Sequence, residues 1–198
     1  MDVEGQRFTG LDWYGEHLGA RRFSACVFVD CDLTETRSKG ASFDACEFRG
    51  VRLNASTHDT SSFANCLFHR TSLFGATLRG CRLVGSRFVS CTLRPLTVQG
   101  GNWSYVQLRG ADLSGVDLGG VNLDEADLAE AVLTGTSVRD ASLVRATLRG
   151  ALLEDTTLAG ADLSGVDLAA LVWRRTRVDA GQAVAIAEAA GVIVVPDD

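Results

Sequence analysis

The chain has 198 residues, of which 46% are hydrophobic and 22% charged, with only two prolines. This composition can bury a core as one soluble unit and excludes a disordered chain. The net charge of −6 is uneven, because residues 1–100 carry 12 basic and 10 acidic side chains whereas residues 101–198 carry 7 and 15. A basic surface that binds nucleic acid directly is therefore disfavoured, and the acidic second half indicates either a basic partner or none.

The N-terminal residues 1–10 lack a basic region followed by an apolar run, and no later apolar stretch approaches membrane-spanning length. We therefore expect a cytoplasmic protein without a membrane partner.

A five-residue period runs through most of the chain, as in Ala-Asp-Leu-Ser-Gly at 111–115 and again at 161–165. From Phe8 to Val178, 33 of the 35 positions at this interval hold Phe, Leu, Trp or Val. Two residues before each of them, from Cys26 to Thr176, lies a small or medium-sized apolar or hydroxyl residue. The pattern has no insertion, which is typical of a repeat architecture.

This period fits neither an α-helix nor a simple strand, so each unit predicts one side of a coil. Four units make a square coil, with the large residue and the small one pointing inward and Gly, Asp or Asn near the corners. With ~4.8 Å between stacked strands, the repeats predict about 8.5 coils and a rod of about 41 Å. A hexapeptide-repeat acyltransferase would need a period of six.

The interior columns, read at every twentieth residue, are rich in Phe in the first half and in Leu from Leu108 onward. The three tryptophans, Trp13, Trp103 and Trp173, occupy core positions and are interpreted as packing residues rather than ligand contacts. The cysteines all occupy the small inward position, which predicts free, packed thiols and neither disulfides nor a metal site; they are Cys26, Cys31, Cys46, Cys66, Cys81 and Cys91.

Ser38 and His58 interrupt one interior column at positions one coil apart. The favoured interpretation is a local bulge in which both side chains turn outward or bond to the backbone. The alternative is a small surface notch that a partner uses, since departures from a regular scaffold often carry function.

The period ends at Val178, which predicts a β-helix over residues 1–178 and a separate C-terminal segment over 179–198. Asp179 followed by Gln182 predicts a capped helix of about ten residues that ends at Gly191. Residues 192–195 predict a strand. The segment would cap the open end of the coil and, because it is apolar on two sides, form a homodimer. The predicted interface residues are Val184, Ile186, Val192 and Val194.

The repeat resembles the pentapeptide-repeat family over residues 8–178. Within the family, the chain is similar to the gyrase-interacting Qnr proteins and mycobacterial fluoroquinolone-resistance (MfpA) type. Three features carry this similarity, namely the segment Phe88–Thr97, Val172-Trp173-Arg174 and the helix that begins at Gln182. The resemblance implies an all-β fold, a right-handed quadrilateral parallel β-helix with a short C-terminal capping and dimerisation helix.

The resemblance also implies a function. The dimeric rod would mimic duplex DNA and bind DNA gyrase or topoisomerase IV. It would thereby confer resistance to quinolones, or self-immunity to a gyrase-targeting natural product. The projecting loops of many Qnr proteins have no counterpart in this sequence.

The charge density of the second half agrees with DNA mimicry. Residues 110–169 span three coils, about 14 Å, and carry a net charge of −8, which is about the charge of a duplex of that length. Five aspartates occupy a position where Asp often bonds to nearby backbone. The remaining six acidic residues are the predicted partner-binding acidic face: Asp124, Glu125, Glu130, Asp140, Glu154 and Asp155.

Two other functions compete with this prediction. A generic protein-interaction scaffold with another partner would share the rod but not the target. An enzyme is disfavoured because the sequence contains no phosphate-binding Gly-Lys motif, metal-spaced His cluster or catalytic triad candidate. No catalytic, cofactor-binding or metal-binding residue is therefore predicted, and no cofactor.

Overall fold

Parallel pairing at an offset of twenty residues builds this protein as a stack of square coils. In the computed structural model, which describes residues 2–195, Asp2 pairs with Arg22 and the same offset persists to the bridge between Thr157 and Arg177. This offset corresponds to about nine coils of four five-residue sides. The predicted fold class, a right-handed quadrilateral parallel β-helix followed by a short helix, is confirmed.

We number the sides 1 to 4 in chain order within each coil. Side 1 of the first half carries strands Asp2–Glu4, Arg22–Ser24, Ser42–Asp44 and Ser62–Ala64. Side 2 carries Arg7–Thr9, Val27–Val29, Glu47–Arg49, Leu67–His69 and Arg87–Val89. Side 4 carries His17–Gly19, Arg37–Lys39, Thr57–Asp59, Ala76–Arg79 and Leu96–Gln99. Side 3 pairs through isolated bridges such as Asp12 with Asp32.

The second half pairs differently. Between Gly100 and Asp179, the coils of the described chain are joined on their sides by isolated bridges, such as Asn122 with Ser142, and each side ends in a turn. A 3-10 helix at Leu168–Ala170 lies within the last coil, and the helix α1 at Ala180–Ala189 follows that coil. The five-residue repeat is therefore one pattern with two backbone forms.

The interior of the first half is built from stacked aromatic rings. On side 2, five phenylalanines from Phe8 to Phe88 stack with centroid distances from 4.6 to 5.1 Å. On side 1, Phe23, Phe43 and Phe63 stack at 4.9 Å. Rings of the two ladders meet edge to face or tilted, as Phe43 does with Phe48 at 5.6 Å. These are favoured geometries, each worth about 0.5–1.5 kcal/mol beyond area burial.

Ser38 and His58 are buried and point into the coil, so the expectations of outward-turned side chains and of a surface notch were wrong, whereas the expected local irregularity is present as a register shift where His17–Gly19 pairs with Arg37–Lys39. Their side chains are buried and hydrogen-bonded to each other, with 2.7 Å between Ser38 Oγ and His58 Nδ1. His58 Nε2 lies 3.1 Å from Ser56 Oγ, and Ser38 Oγ lies 2.8 Å from Ser61 Oγ. The small inward positions on either side thus supply hydroxyls that satisfy two buried polar residues.

The direction of these hydrogen bonds follows from which atom carries a proton to donate. Ser56 Oγ donates to Leu53 O, so it accepts the Nε2 proton of His58, and Nδ1 accepts from Ser38. The imidazole is therefore neutral. Desolvation by burial lowers the pKa of His58 to about 4.

The cysteines pack as the repeat predicts. All six are free thiols on the inward small position; five are buried and Cys91 is half-buried. Their Sγ atoms lie near backbone carbonyls of the preceding coil, as Cys46 Sγ does 3.5 Å from Phe23 O. Burial raises the pKa of the Cys81 thiol to about 11. A buried thiol with a raised pKa is a poor nucleophile, so Cys81 serves as a packing group.

The tryptophans follow the predicted core positions. Trp103 is buried, whereas Trp13 and Trp173 are half-buried near the two ends of the rod and still pack against the core. The indole nitrogen of Trp103 is buried without a hydrogen-bond partner in the described chain.

Candidate partner-binding surface

Three of every five residues face outward. Among them, five aspartates of the second half accept hydrogen bonds from backbone N–H groups two or three residues later in the chain. Asp112 accepts a hydrogen bond from Ser114 N at 3.1 Å, and Asp117 accepts one from Gly119 N at 2.9 Å. Asp127, Asp162 and Asp167 accept equivalent bonds from backbone N–H groups. The interpretation of these five residues as backbone-binding groups is confirmed. Hydrogen bonds from Ser114 and Ser164 lower the pKa of Asp112 and of Asp162.

Four of the six predicted contact residues occupy corners of the coil. Glu125, Glu130, Asp140 and Asp155 have φ between 56° and 60°, which is the left-handed region. Such a corner projects the side chain away from the rod, and Asp tolerates it better than most residues because its short side chain bonds locally. These positions combine a structural requirement with exposure to a partner.

Arginines neutralise several of these carboxylates. Glu125 pairs with Arg145 and also accepts a hydrogen bond from Tyr105 Oη at 3.0 Å, and the arginine holds the pKa of Glu125 below its usual range. Asp155 pairs with Arg175 at 3.0 Å. Glu130 pairs with Arg109. The pairs are solvent-exposed, so each contributes little to stability, but each reduces the negative charge presented to a partner.

Asp124 is tied to the next coil. Its Oδ1 accepts hydrogen bonds from Ser142 Oγ and, at 3.2 Å, from Val144 N. Asp140 and Glu154 are exposed, and no side-chain hydrogen bond or ion pair holds either of them within residues 2–195. These two are therefore the freest carboxylates of the predicted set.

The six residues do not share one face. Asp124 and Glu125 lie on side 1, Glu130 on side 2, Glu154 and Asp155 on side 3, and Asp140 on side 4. The prediction of a single acidic face is thus wrong, because consecutive five-residue units turn onto different sides. The carboxylates instead surround the rod.

The capping box predicted at the C-terminal helix is confirmed. Asp179 accepts from Gln182 N at 2.9 Å, and Gln182 Oε1 accepts from Asp179 N at 3.0 Å. Gln182 has a second role that the repeat pattern does not indicate, because its Nε2 donates to Leu158 O and Ala161 O, each at 2.8 Å. Asp179 also accepts from Gly160 N at 2.9 Å. The first turn of α1 is therefore fixed onto the last coils.

The predicted dimer residues are partly or largely exposed. Val184 and Val194 are each 39% exposed, Val192 is 54% exposed, and Ile186 is half-buried. The strand predicted over residues 192–195 is not formed, because this segment follows α1 and has no adjacent strand in the described chain. Residues 196–198 of the predicted C-terminal unit lie outside the described residues.

Two further properties concern ligands and membranes. Within residues 2–195, no group of three or more His, Cys, Asp and Glu side chains is arranged to hold a metal ion. The helices in this part of the chain are all too short to cross a membrane.

The described geometry can be compared with known proteins. A family model described as pentapeptide repeats matches residues 61–94, 107–143 and 141–169, with eight copies of the repeat. The chain belongs to the pentapeptide-repeat family. This family is defined by its repeat and not by a catalytic activity. A comparison with curated protein sequences finds no match.

Solved structures of pentapeptide-repeat proteins have the same fold. A trypsin-treated form of QnrB1, described as a plasmid-mediated fluoroquinolone resistance protein, is 21% identical with a TM-score of 0.75, and the match covers 98% of each chain. Full-length QnrB1 is 18% identical with a TM-score of 0.59, over 97% of this chain and 100% of the other. At this level of identity the similarity shows the fold, and the Qnr-like fold expected from the repeat is confirmed.

Proposed function

We propose that this pentapeptide-repeat protein binds DNA gyrase, or topoisomerase IV, in place of duplex DNA. It would thereby confer resistance to quinolones or self-immunity to a gyrase-targeting natural product. The observation that carries the proposal is the distribution of carboxylates on all four sides of a straight acidic rod. Duplex DNA also presents its charge all around its axis. A one-sided acidic face would resemble it less.

The charge density supports the same proposal. Residues 110–169 hold eleven acidic and three basic residues, a net charge of −8. Arg94, Arg109 and Arg175 lie outside this segment and pair with Asp112, Glu130 and Asp155 inside it, which brings the charge to −5. A duplex of the same ~14 Å carries about −8, so the segment keeps more than half of the charge density of DNA.

We further propose that the protein acts as a two-fold homodimer through its C-terminal segment. Val184, Ile186, Val192 and Val194 expose apolar surface at one end of the rod, where a closed two-fold contact would cover it. The dimer would be about 80–90 Å long with the acidic halves at its centre.

A supercoiling assay tests the target. The purified protein is expected to inhibit gyrase-catalysed supercoiling or to change the amount of quinolone-induced DNA cleavage. If it does neither, with gyrase and with topoisomerase IV, the proposal is wrong. A generic scaffold for another partner then becomes the better interpretation.

Charge reversal tests the surface. The double variant Asp140→Arg and Glu154→Arg changes the two freest carboxylates and is expected to weaken gyrase binding on the order of tenfold, with a strong salt dependence. Arginine is compatible with such a corner, since Arg145 has φ of 55°. The matched control, Asp2→Arg with Glu4→Arg at the opposite end of the rod, should bind like the parent. Equal effects from both doubles would reject the acidic second half as the contact surface.

Light scattering tests the dimer. We expect twice the monomer mass of 21.0 kDa for the parent and a shift toward monomer for Val184→Arg, since a charge buried in an interface is costly. A parent protein that remains monomeric at micromolar concentration contradicts the dimer but not the gyrase interaction.

A further inference from the structure

The pairing between coils opens on side 3 near the C-terminal end. In earlier coils, Leu113 N donates to Val132 O and Leu133 N to Leu152 O, both at 2.9 Å. No equivalent bond joins Leu153 N to Val172 O, nor Val172 N to Ala151 O, although all these residues are described. The 3-10 helix at Leu168–Ala170 precedes this stretch and replaces the regular side 2 of the last coil. The two coils remain joined at the end of this side, where Asp155 N donates to Arg174 O at 3.2 Å, so the strand edge is unpaired at Ala151 and Leu153 only.

A cleft of about 420 Å³ lies at this opening. Ala151, Leu152 and Leu153 form one wall, and Ala170 and Val172 form the other. The unpaired Leu153 N and Ala151 O belong to residues that line it, so the cleft combines apolar side chains with a free backbone donor and acceptor. Such a combination accepts an extended peptide by strand addition.

The outward side chains beside the cleft are also unusual. At the same outward position of side 3, the first coils carry Asp12, Asp32 and Arg52. From Val132 onward the position is apolar, and its last two members, Leu152 and Val172, are 56% and 61% exposed. Exposed apolar side chains at an outward position that is polar in the earlier coils indicate a surface that is covered in the working protein.

The C-terminal tail has the matching chemistry. Val192 to Val195 are four consecutive β-branched residues, and Ile193 and Val195 are 87% and 77% exposed. Extended, they span about 13 Å, close to the length of one side of the coil. Glu154 and Arg174 both line the cleft, so its charged side chains balance and suit an uncharged apolar segment such as residues 192–195.

Both elements lie at the same end of the rod, because α1 packs against the 3-10 helix that contributes Ala170 to the cleft. We propose that residues 192–195 of one copy form an added strand in the side-3 cleft of a second copy, and that the second copy does the same in return. The exchange rests on the proposed dimer. It gives each copy one tail and one cleft, as a two-fold contact requires.

Two variants of the protein, mixed together, test the exchange. Leu152→Arg blocks the cleft but keeps the tail, and a chain that ends at Gly191 keeps the cleft but lacks the tail. Each alone should dimerise on the order of 100-fold more weakly than the parent in sedimentation equilibrium. The mixture should form heterodimers more tightly than either variant self-associates, because one intact tail and one intact cleft remain.

Phe74→Arg is the matched control, since Phe74 is also on side 3 and 54% exposed but lies in the first half. It should dimerise like the parent. Circular dichroism and thermal unfolding verify that the variants are folded. The exchange is wrong if the shortened chain dimerises like the parent, if the mixture shows no gain, or if the parent is monomeric. Loss of dimer with Val184→Arg but not with the shortened chain would retain the proposed dimer and reject only the exchange. Neither result depends on gyrase binding.

Discussion

The two halves of the rod share one repeat but solve its packing differently. Residues 2–99 form short parallel strands on three sides and enclose two phenylalanine ladders, whereas residues 100–178 are joined by isolated bridges around leucine columns. Aromatic residues favour extended strands, and stacked rings match the ~4.8 Å spacing of parallel strands. Phe at the central position thus accompanies short strands, and Leu accompanies isolated bridges. The five-residue period maintains the square coil in both halves.

The two halves also differ in the polar groups that are buried in their interiors. The first half contains the Ser38 and His58 network, whose buried hydroxyls and imidazole satisfy one another. At the junction, Trp103 carries a buried N–H without a partner, and Gly101 has φ of 114° with Cys81 O only 2.3 Å from the position of an added Cβ. At the junction, where short strands give way to isolated bridges, the backbone therefore requires glycine at position 101.

Truncation of a ladder residue has the largest expected effect and compares the two cores directly. Phe48→Ala removes a fully buried ring that stacks on Phe28 and Phe68, and should lower the free energy of unfolding by about 3–5 kcal/mol. Leu128→Ala changes the same column in the second half and should cost about 2–4 kcal/mol. Urea denaturation measures both. A smaller loss for Phe48→Ala than for Leu128→Ala would show that ring stacking adds nothing to the first half.

The imidazole of His58 gives the first half a pH dependence. Burial lowers its pKa from 6.5 to about 4, so between these values the unfolded chain binds a proton that the folded chain does not. We therefore expect the free energy of unfolding to have its full value above pH 6.5 and to fall by about 3 kcal/mol as the pH drops to about 4.

The variant His58→Leu isolates this effect. It should remove the loss between pH 6.5 and 4, as measured by urea denaturation at several pH values. Carboxylates with lowered pKa, such as Asp32 at about 2, lose their contribution only below about pH 4, in a separate window. An unchanged pH profile in His58→Leu would mean that the imidazole is not the titrating group.

The sequence predicts the columns of this fold well because a strict period leaves little freedom about which residues face inward. It does not distinguish a three-residue strand from an isolated bridge, since both place the same residues inside. The inward direction of His58 could have been found from Ser56 and Ser61, which supply hydroxyls at neighbouring small positions. A solvent-facing interpretation overlooked that local complementarity.

The candidate surface was predicted less well, for a related reason. Ion pairs such as Glu125 with Arg145 and Asp155 with Arg175 join residues that are one coil, or twenty residues, apart. Comparing charges at this offset in the sequence reveals the pairs, whereas the net charge of a segment does not. The cleft on side 3 has no sequence signal beyond its two outward apolar residues, because it depends on where the last coil departs from the repeat.

The smallest expected effect lies at the junction. Trp103→Phe removes a buried N–H that lacks a partner and so relieves about 1–3 kcal/mol of desolvation cost. The smaller ring loses packing contacts, and this loss offsets the gain. The net change in the free energy of unfolding should be within about 1 kcal/mol, whereas Trp103→Ala, the control for the packing contribution, should cost about 3–5 kcal/mol. If Trp103→Phe is as damaging as Trp103→Ala, the indole is required for its shape at the change of backbone form, and the orphan N–H is a minor cost there.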